Sequence, residues 1–155
     1  MLDGQDPLAW GSLVGTIAEI GDCLIVDPYL KAEQFLDVAK FTGTTRVILK
    51  RPNSDGELVR WQLYQALPGL SVNIRIIDPQ HIHDRYIVGE TAVYTLGCSL
   101  VGVGRKPTTL IPMTGEPADR IRAIVEGWWD MAEPVGEPAP ADQEPELEAG
   151  PGQAG

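Results

Sequence analysis

Apolar, β-branched runs alternate with helical faces through the first half of this chain, and that alternation limits the fold more than any other feature. Residues 22–26 and 46–49 are short runs of Leu, Ile and Val. Between them, residues 31–41 place Phe35, Leu36, Val38 and Ala39 at helical spacing. A second helix is expected over residues 56–67, with Leu58, Trp61 and Leu63 apolar and Pro68-Gly69 closing it, and a third strand over residues 71–77. Strands separated by helices require crossover connections, so the expected class is α/β, a mixed sheet flanked by helices.

After Asp78-Pro79 the rhythm changes. Closely spaced strands are expected at residues 84–88, 92–96 and 108–112, joined by turns too short for helices, which makes this half antiparallel or mixed. Residues 117–130 then carry Ile121, Ile124, Val125 and Trp128 at i, i+3, i+4 and i+7, an apolar stripe of a helix that packs on the sheet. Of the neighbouring indoles Trp128 and Trp129, one is expected to cap the core and the other to face a partner surface.

The chain has 155 residues, the length of one domain with a tail. The division is expected at 132/133, because residues 133–155 are rich in Pro, Glu, Ala and Gly and contain almost no large apolar side chain to offset ordering entropy. The formal charge is −10, yet this tail holds six acids and no base; without it sixteen acids face twelve bases, a net of −4. Mild acidity speaks against tight, non-specific binding along nucleic acid, which rests on many lysines and arginines, but leaves room for a local basic site. Arg46, Lys50 and Arg51 at one strand end and Arg85, Arg105 and Lys106 further on are the candidates. Cys23 and Cys98 lie in apolar runs without metal-ligand spacing and are expected as reduced, buried thiols. No secretory leader and no membrane-spanning run is evident, so a cytoplasmic protein is expected.

Chemistry concentrates in residues 82–110, IHDRYIVGETAVYTLGCSLVGVGRKPTTL. In an extended strand His81, His83 and Arg85 share one face, and Asp84, Tyr86 and Val88 the other, so an imidazole and a guanidinium point the same way. That pairing suits a phosphodiester. His81, His83, Asp84 and Asp78 offer no third histidine and no further clustered carboxylate, so no metal is expected. Gly102-x-Gly104 precedes no helix and is a weak phosphate-loop signal. A histidine held by a backbone carbonyl is the plain structural alternative for His83.

The segment resembles the phospholipase D superfamily, whose signature is His-x-Lys, four residues, Asp, then six residues and a Gly-Ser turn. The matching positions are His83, Arg85, Glu90 and Gly97, with lysine replaced by Arg85, aspartate by Glu90, and Cys98-Ser99-Leu100 following the glycine. It is more similar to a divergent bacterial branch with His-Asp-Arg and an aromatic, Leu-Gly-x-Ser-Leu, and Gly-Arg/Lys-Lys: here His83-Asp84-Arg85-Tyr86, Leu96-Gly97-Cys98-Ser99-Leu100 and Gly104-Arg105-Lys106. Val26-Asp27-Pro28-Tyr29 resembles that branch's first core strand, and the likeness runs over residues 20–113.

The resemblance implies a phospholipase D-like half-unit. In that family one histidine attacks phosphorus and a second protonates the leaving oxygen, so a single-motif chain acts as a homodimer. It assigns His83, Arg85 and Glu90 to catalysis, Arg85, Ser99, Arg105 and Lys106 to phosphate, and Asp27, Asp84 and Gly97 to the motif's frame, with no cofactor. Arg85 binds phosphate in a bidentate fork but does not replace the lysine without moving the charge, which favours binding over turnover. The first expectation is therefore a phosphate- or phosphodiester-binding module, a sensor or adaptor in a bacterial DNA-processing or defence setting, whose ligand is a nucleic-acid end, a nucleotide or a lipid headgroup. The second is a homodimeric, metal-independent phosphodiesterase or nuclease working through a phosphohistidine at His83. The third is an interaction domain whose former site has decayed.

Overall fold

The structure, a computed structural model, describes residues 7–78, 80, 84–97, 100 and 110–137. Helix α1 (Pro7–Ile20) leads into β1 (Cys23–Val26), α2 (Ala32–Phe41), β2 (Thr44–Lys50), α3 (Asp55–Gln65) and β3 (Asn73–Ile77). The chain continues through β4 (Arg85–Gly89), β5 (Val93–Leu96), β6 (Leu110–Met113), α4 (Gly115–Met131) and β7 (Glu133–Pro134). One mixed sheet runs β6-β5-β4-β1-β2-β3-β7. β1, β2 and β3 are parallel, joined by the crossover helices α2 and α3, whereas β4, β5 and β6 form an antiparallel meander on the other side of β1.

The period-two alternation of the central strands divides the core into two layers. Ile25, Val47, Leu49, Ile74, Ile76 and Ile87 face Leu13 and Ile17 of α1, Phe35 and Val38 of α2, and Trp61 of α3. Leu24, Val26, Ile48, Ile77 and Val88 face Ala118, Val125 and Trp129 of α4. β1 is buried along its whole length, as a central strand covered by helices on both faces must be. Phe35, Trp61 and Tyr64 lock α2 to α3 through edge-on and tilted ring contacts, with Phe35 and Trp61 centroids 5.4 Å apart.

The structure adds one helix to the sequence reading and departs from it at the carboxyl-terminal end. Residues 7–20 form a helix although Gly11 and Gly15 weaken it, because Leu13 and Ile17 are buried on the first layer and the Trp10 Nε1–H donates to Asp37 of α2 at 2.8 Å. The fold also passes the expected 132/133 boundary: β7 pairs antiparallel with β3, Val135 is buried, and Gln62 Nε2 donates to the Val135 carbonyl at 2.8 Å. On α4 the buried side is Ala118, Val125 and Trp129, while Ile124 is 46% exposed. Both indoles pack on the protein, Trp128 against Tyr86 and Trp129 between the Arg46 and Arg75 guanidinium groups at 5.2 and 4.2 Å.

The loops at the amino end of β1 and β2 touch. Gly21 ends α1 with φ +80°, and a Cβ on Gly43 would lie 2.7 Å from the Gly21 carbonyl carbon and oxygen. Gly43→Ala is expected to lower unfolding stability by about 1–3 kcal/mol, the cost typical of forcing an extra methyl into a packed position; an unchanged denaturation midpoint would contradict the contact.

Across the second layer Arg46 makes a two-pronged bond to Glu126, 2.8 and 2.7 Å. The Arg46 hydrogen bond holds the Glu126 carboxyl below its ordinary 4.5, against a smaller upward push from burial. A depressed folded pKa stabilises the fold above the unfolded value, and the contribution disappears as pH falls through the folded one. Glu126 is half exposed, so Glu126→Gln is expected to cost at most about 1 kcal/mol at pH 7. The difference from wild type should vanish as denaturation is followed down through and below pH 4.5.

Candidate functional site

Open α/β sheets bind ligands outside the carboxyl ends of their parallel strands, where neighbouring connections diverge. Here that point is the end of β1, because the chain leaves β1 toward β2 while β4 occupies its other flank. The register places Arg85, the first residue of β4, opposite Leu96, the last of β5, so Gly97 follows at the same edge. Lys50, the last residue of β2, and Arg51 also end there.

Asp27 fixes the loop that leaves β1. It is fully buried; one carboxylate oxygen accepts the Tyr29 N–H at 3.0 Å, and the other accepts the Leu100 N–H at 2.7 Å. The first bond is a short turn of the kind aspartate makes with its own backbone two residues on. The second reaches across to the connection after β5 and holds Leu100, itself buried, against the end of β1.

The turn presents the Tyr29 ring, 51% exposed, to two cations. The Lys50 Nζ lies 5.2 Å from its centroid and the Arg85 guanidinium carbon 5.4 Å. Arg85 shares the face of Ile87, toward the helices α1 to α3, as strand alternation requires. Its Nε is buried and has no hydrogen-bond partner. Among the described residues neither Arg85 nor Lys50 is paired with a carboxylate, whereas Arg51 is held by Asp78 at 3.1 Å and Glu133 at 3.2 Å. Among the described residues the edge therefore carries two cations outside any ion pair on one aromatic ring.

The remaining sequence candidates divide. Asp84 lies just before β4, exposed, and accepts the Tyr86 hydroxyl at 3.1 Å. Burial and the Asp84 carboxylate push the Tyr86 phenol up to about 12. Glu90, expected to orient the His83 imidazole, follows the last residue of β4 while Arg85 is the first, about 17 Å away along an extended chain. It lines a cavity at the opposite edge with Asp22, Cys23, Arg46, Arg122 and Glu126, so it does not act beside Arg85. The Arg46-Lys50-Arg51 group is also split, since Arg46 belongs to that far edge. His81, His83, Cys98, Ser99, Gly102, Gly104, Arg105 and Lys106 lie outside the described residues. Among the described residues no three His, Cys, Asp or Glu side chains converge on a metal position. Cys23 is buried, and desolvation pushes its thiol up, so it is a poor nucleophile. No helix among the described residues is long and apolar enough to cross a membrane.

No family model matches the chain, and no curated protein matches it. Among solved structures the chain is similar to TrmBL2, an archaeal chromatin protein whose structure is described as showing a novel mode of DNA binding. The two superpose with a TM-score of 0.53 at 15% identity, over 81% of this chain and 50% of that one. This chain thus spans about half the length of that protein, and at this identity the likeness concerns the fold.

Tyr29 and Lys50 carry more of the site than sequence reasoning assigned to them. Lys50 was legible only as part of a basic strand end, and Tyr29 only as the last residue of Val26-Asp27-Pro28-Tyr29. The signal available was positional, because each lies just past or at the carboxyl end of a parallel strand.

Asp27→Ala leaves both amides without their acceptor. It is expected to lower stability by about 2–4 kcal/mol, the scale for hydrogen bonds to a charged group. A loss under about 0.5 kcal/mol in chemical denaturation would show that the carboxylate does not hold these loops.

Proposed function

We propose that the chain is a phosphate- or phosphodiester-binding module of the phospholipase D-like type, working at the carboxyl edge of β1 as a sensor or adaptor. The observation that carries this reading is the pair of cations, Arg85 and Lys50, that meet on the exposed ring of Tyr29 outside any ion pair among the described residues. A guanidinium takes two phosphate oxygens in its planar fork, and an ammonium on a flexible stem adds a point charge. The position of Arg85 follows from β4 pairing with β1 and β5, so the cation is set by the sheet. A phospholipase D-like assignment rests on the His-Asp-Arg and Leu-Gly-x-Ser-Leu motifs, whose Arg85, Gly97 and Leu100 meet at this edge. The fold likeness to a DNA-binding chromatin protein makes nucleic acid the first ligand to try.

Binding without turnover is favoured because Arg85 replaces the family's lysine and Glu90 lies at the far edge. Arg85→Ala is expected to weaken binding of a 5′-phosphorylated oligonucleotide by about tenfold or more, the loss typical of one charge-assisted contact, with Arg85→Lys recovering part of it. Wild-type affinity in Arg85→Ala would remove the site from this edge. Bis-p-nitrophenyl phosphate and single-stranded DNA should remain uncleaved in EDTA; cleavage that survives chelation and is lost in His83→Ala would replace this reading with the homodimeric phosphodiesterase.

A further inference from the structure

We infer that Tyr29 makes the site selective for a base-bearing ligand, a nucleotide or the end of a single strand, over a bare phosphate or a lipid headgroup. The inference rests on the phosphate-binding reading above and adds a residue that no motif assigns. Three observations carry it.

The first is that the ring lies at the site and is available. Tyr29 is half exposed, and its backbone is pinned by Asp27, so the ring stands on a fixed turn at the sheet edge. The second is that the two cations hold it loosely. At 5.2 and 5.4 Å from the centroid, Lys50 and Arg85 sit toward the outer limit of a cation–π contact. A phosphate drawing both cations would uncover ring surface beside itself, and a base stacked on an exposed aromatic ring contributes more than an exposed cation does. Phosphate capture and base stacking are thus coupled through one side chain.

The third is charge. Among the described residues the carboxyl edge of this chain of net charge −10 offers two cations on one ring, whereas tracking a duplex needs a row of them. Two cations and a flat ring match one or two nucleotides. A phosphatidic acid headgroup would share the phosphate but gives the ring nothing to stack on, and α4's exposed Ile124 and Met131 lie on the layer opposite the helices that flank Arg85.

The test compares wild type, Tyr29→Ala, Tyr29→Phe and Arg85→Ala against four probes. These are a 5′-phosphorylated tetrathymidylate, its abasic counterpart of equal charge, pyrophosphate, and vesicles containing phosphatidic acid. Wild type is expected to bind the thymidylate roughly tenfold tighter than the abasic strand. Tyr29→Ala should bind both with the abasic affinity, and Tyr29→Phe should keep the preference. Arg85→Ala should weaken both strands alike. The thymidylate affinity should also fall with salt at a log–log slope of about −1.4, the value for two phosphates on a single strand. Equal wild-type affinity for the two strands, a preference that survives Tyr29→Ala, or tighter binding to vesicles than to thymidylate would overturn the selectivity while leaving phosphate binding in place. Failure of wild type to bind any of the four would overturn both readings.

Discussion

A buried carboxylate with two backbone N–H groups on its two oxygens holds this structure's carboxyl edge together. Asp27 follows the central strand of a seven-stranded sheet, where both faces are already filled by helices, and it is shielded from solvent. The Tyr29 and Leu100 amides donate to its two oxygens, as a buried polar group requires. In doing so they join the parallel half of the sheet, through the β1–α2 turn, to the antiparallel half, through the connection after β5. Everything proposed for the edge depends on that junction: it sets where the Tyr29 ring stands, and β4 brings Arg85 to the same ring.

Charge is distributed in a way that separates the two edges of the sheet. At the amino edge Arg46 is neutralised by Glu126, and Arg122 donates to the Gly89 carbonyl, so the positive groups there are spent on holding α4 to the sheet. At the carboxyl edge Arg51 is neutralised in the same way by Asp78 and Glu133, leaving Lys50 and Arg85 on Tyr29. An acidic protein can in this way present a small positive site without a basic surface, which is the kind of site that reads one phosphate group and its immediate neighbour rather than a long polyanion.

Much of the fold was legible in the sequence because its strands and helices obey simple periods. The runs at β1, β2 and β3, the face of α2 and the extent of α4 are where expected, to within a few residues. What escaped was structure stabilised by partners far along the chain: α1, whose two internal glycines are outweighed by Leu13, Ile17 and the Trp10–Asp37 bond, and β7, a two-residue strand that exists because β3 and Gln62 offer it partners. The site was legible in part. Strand alternation put Arg85 on its observed face, but motif spacing placed Glu90 in the same constellation, and an extended strand carries it to the other edge. Tyr29 and Lys50 meet only because β1 and β2 are adjacent and parallel, a fact of topology that no local motif contains.

Backbone amide chemical shifts, followed while a 5′-phosphorylated oligonucleotide is titrated into the protein, test the central claim most directly. The account predicts that the largest shifts fall on Asp27, Tyr29, Leu30, Lys50, Arg85, Leu96 and Gly97, with Asp22, Glu90 and Arg122 at the opposite edge unmoved. Shifts concentrated at the amino edge, or in the groove between the first turns of α2 and α3 lined by Lys31, Gln34, Arg60 and Trp61, would contradict it.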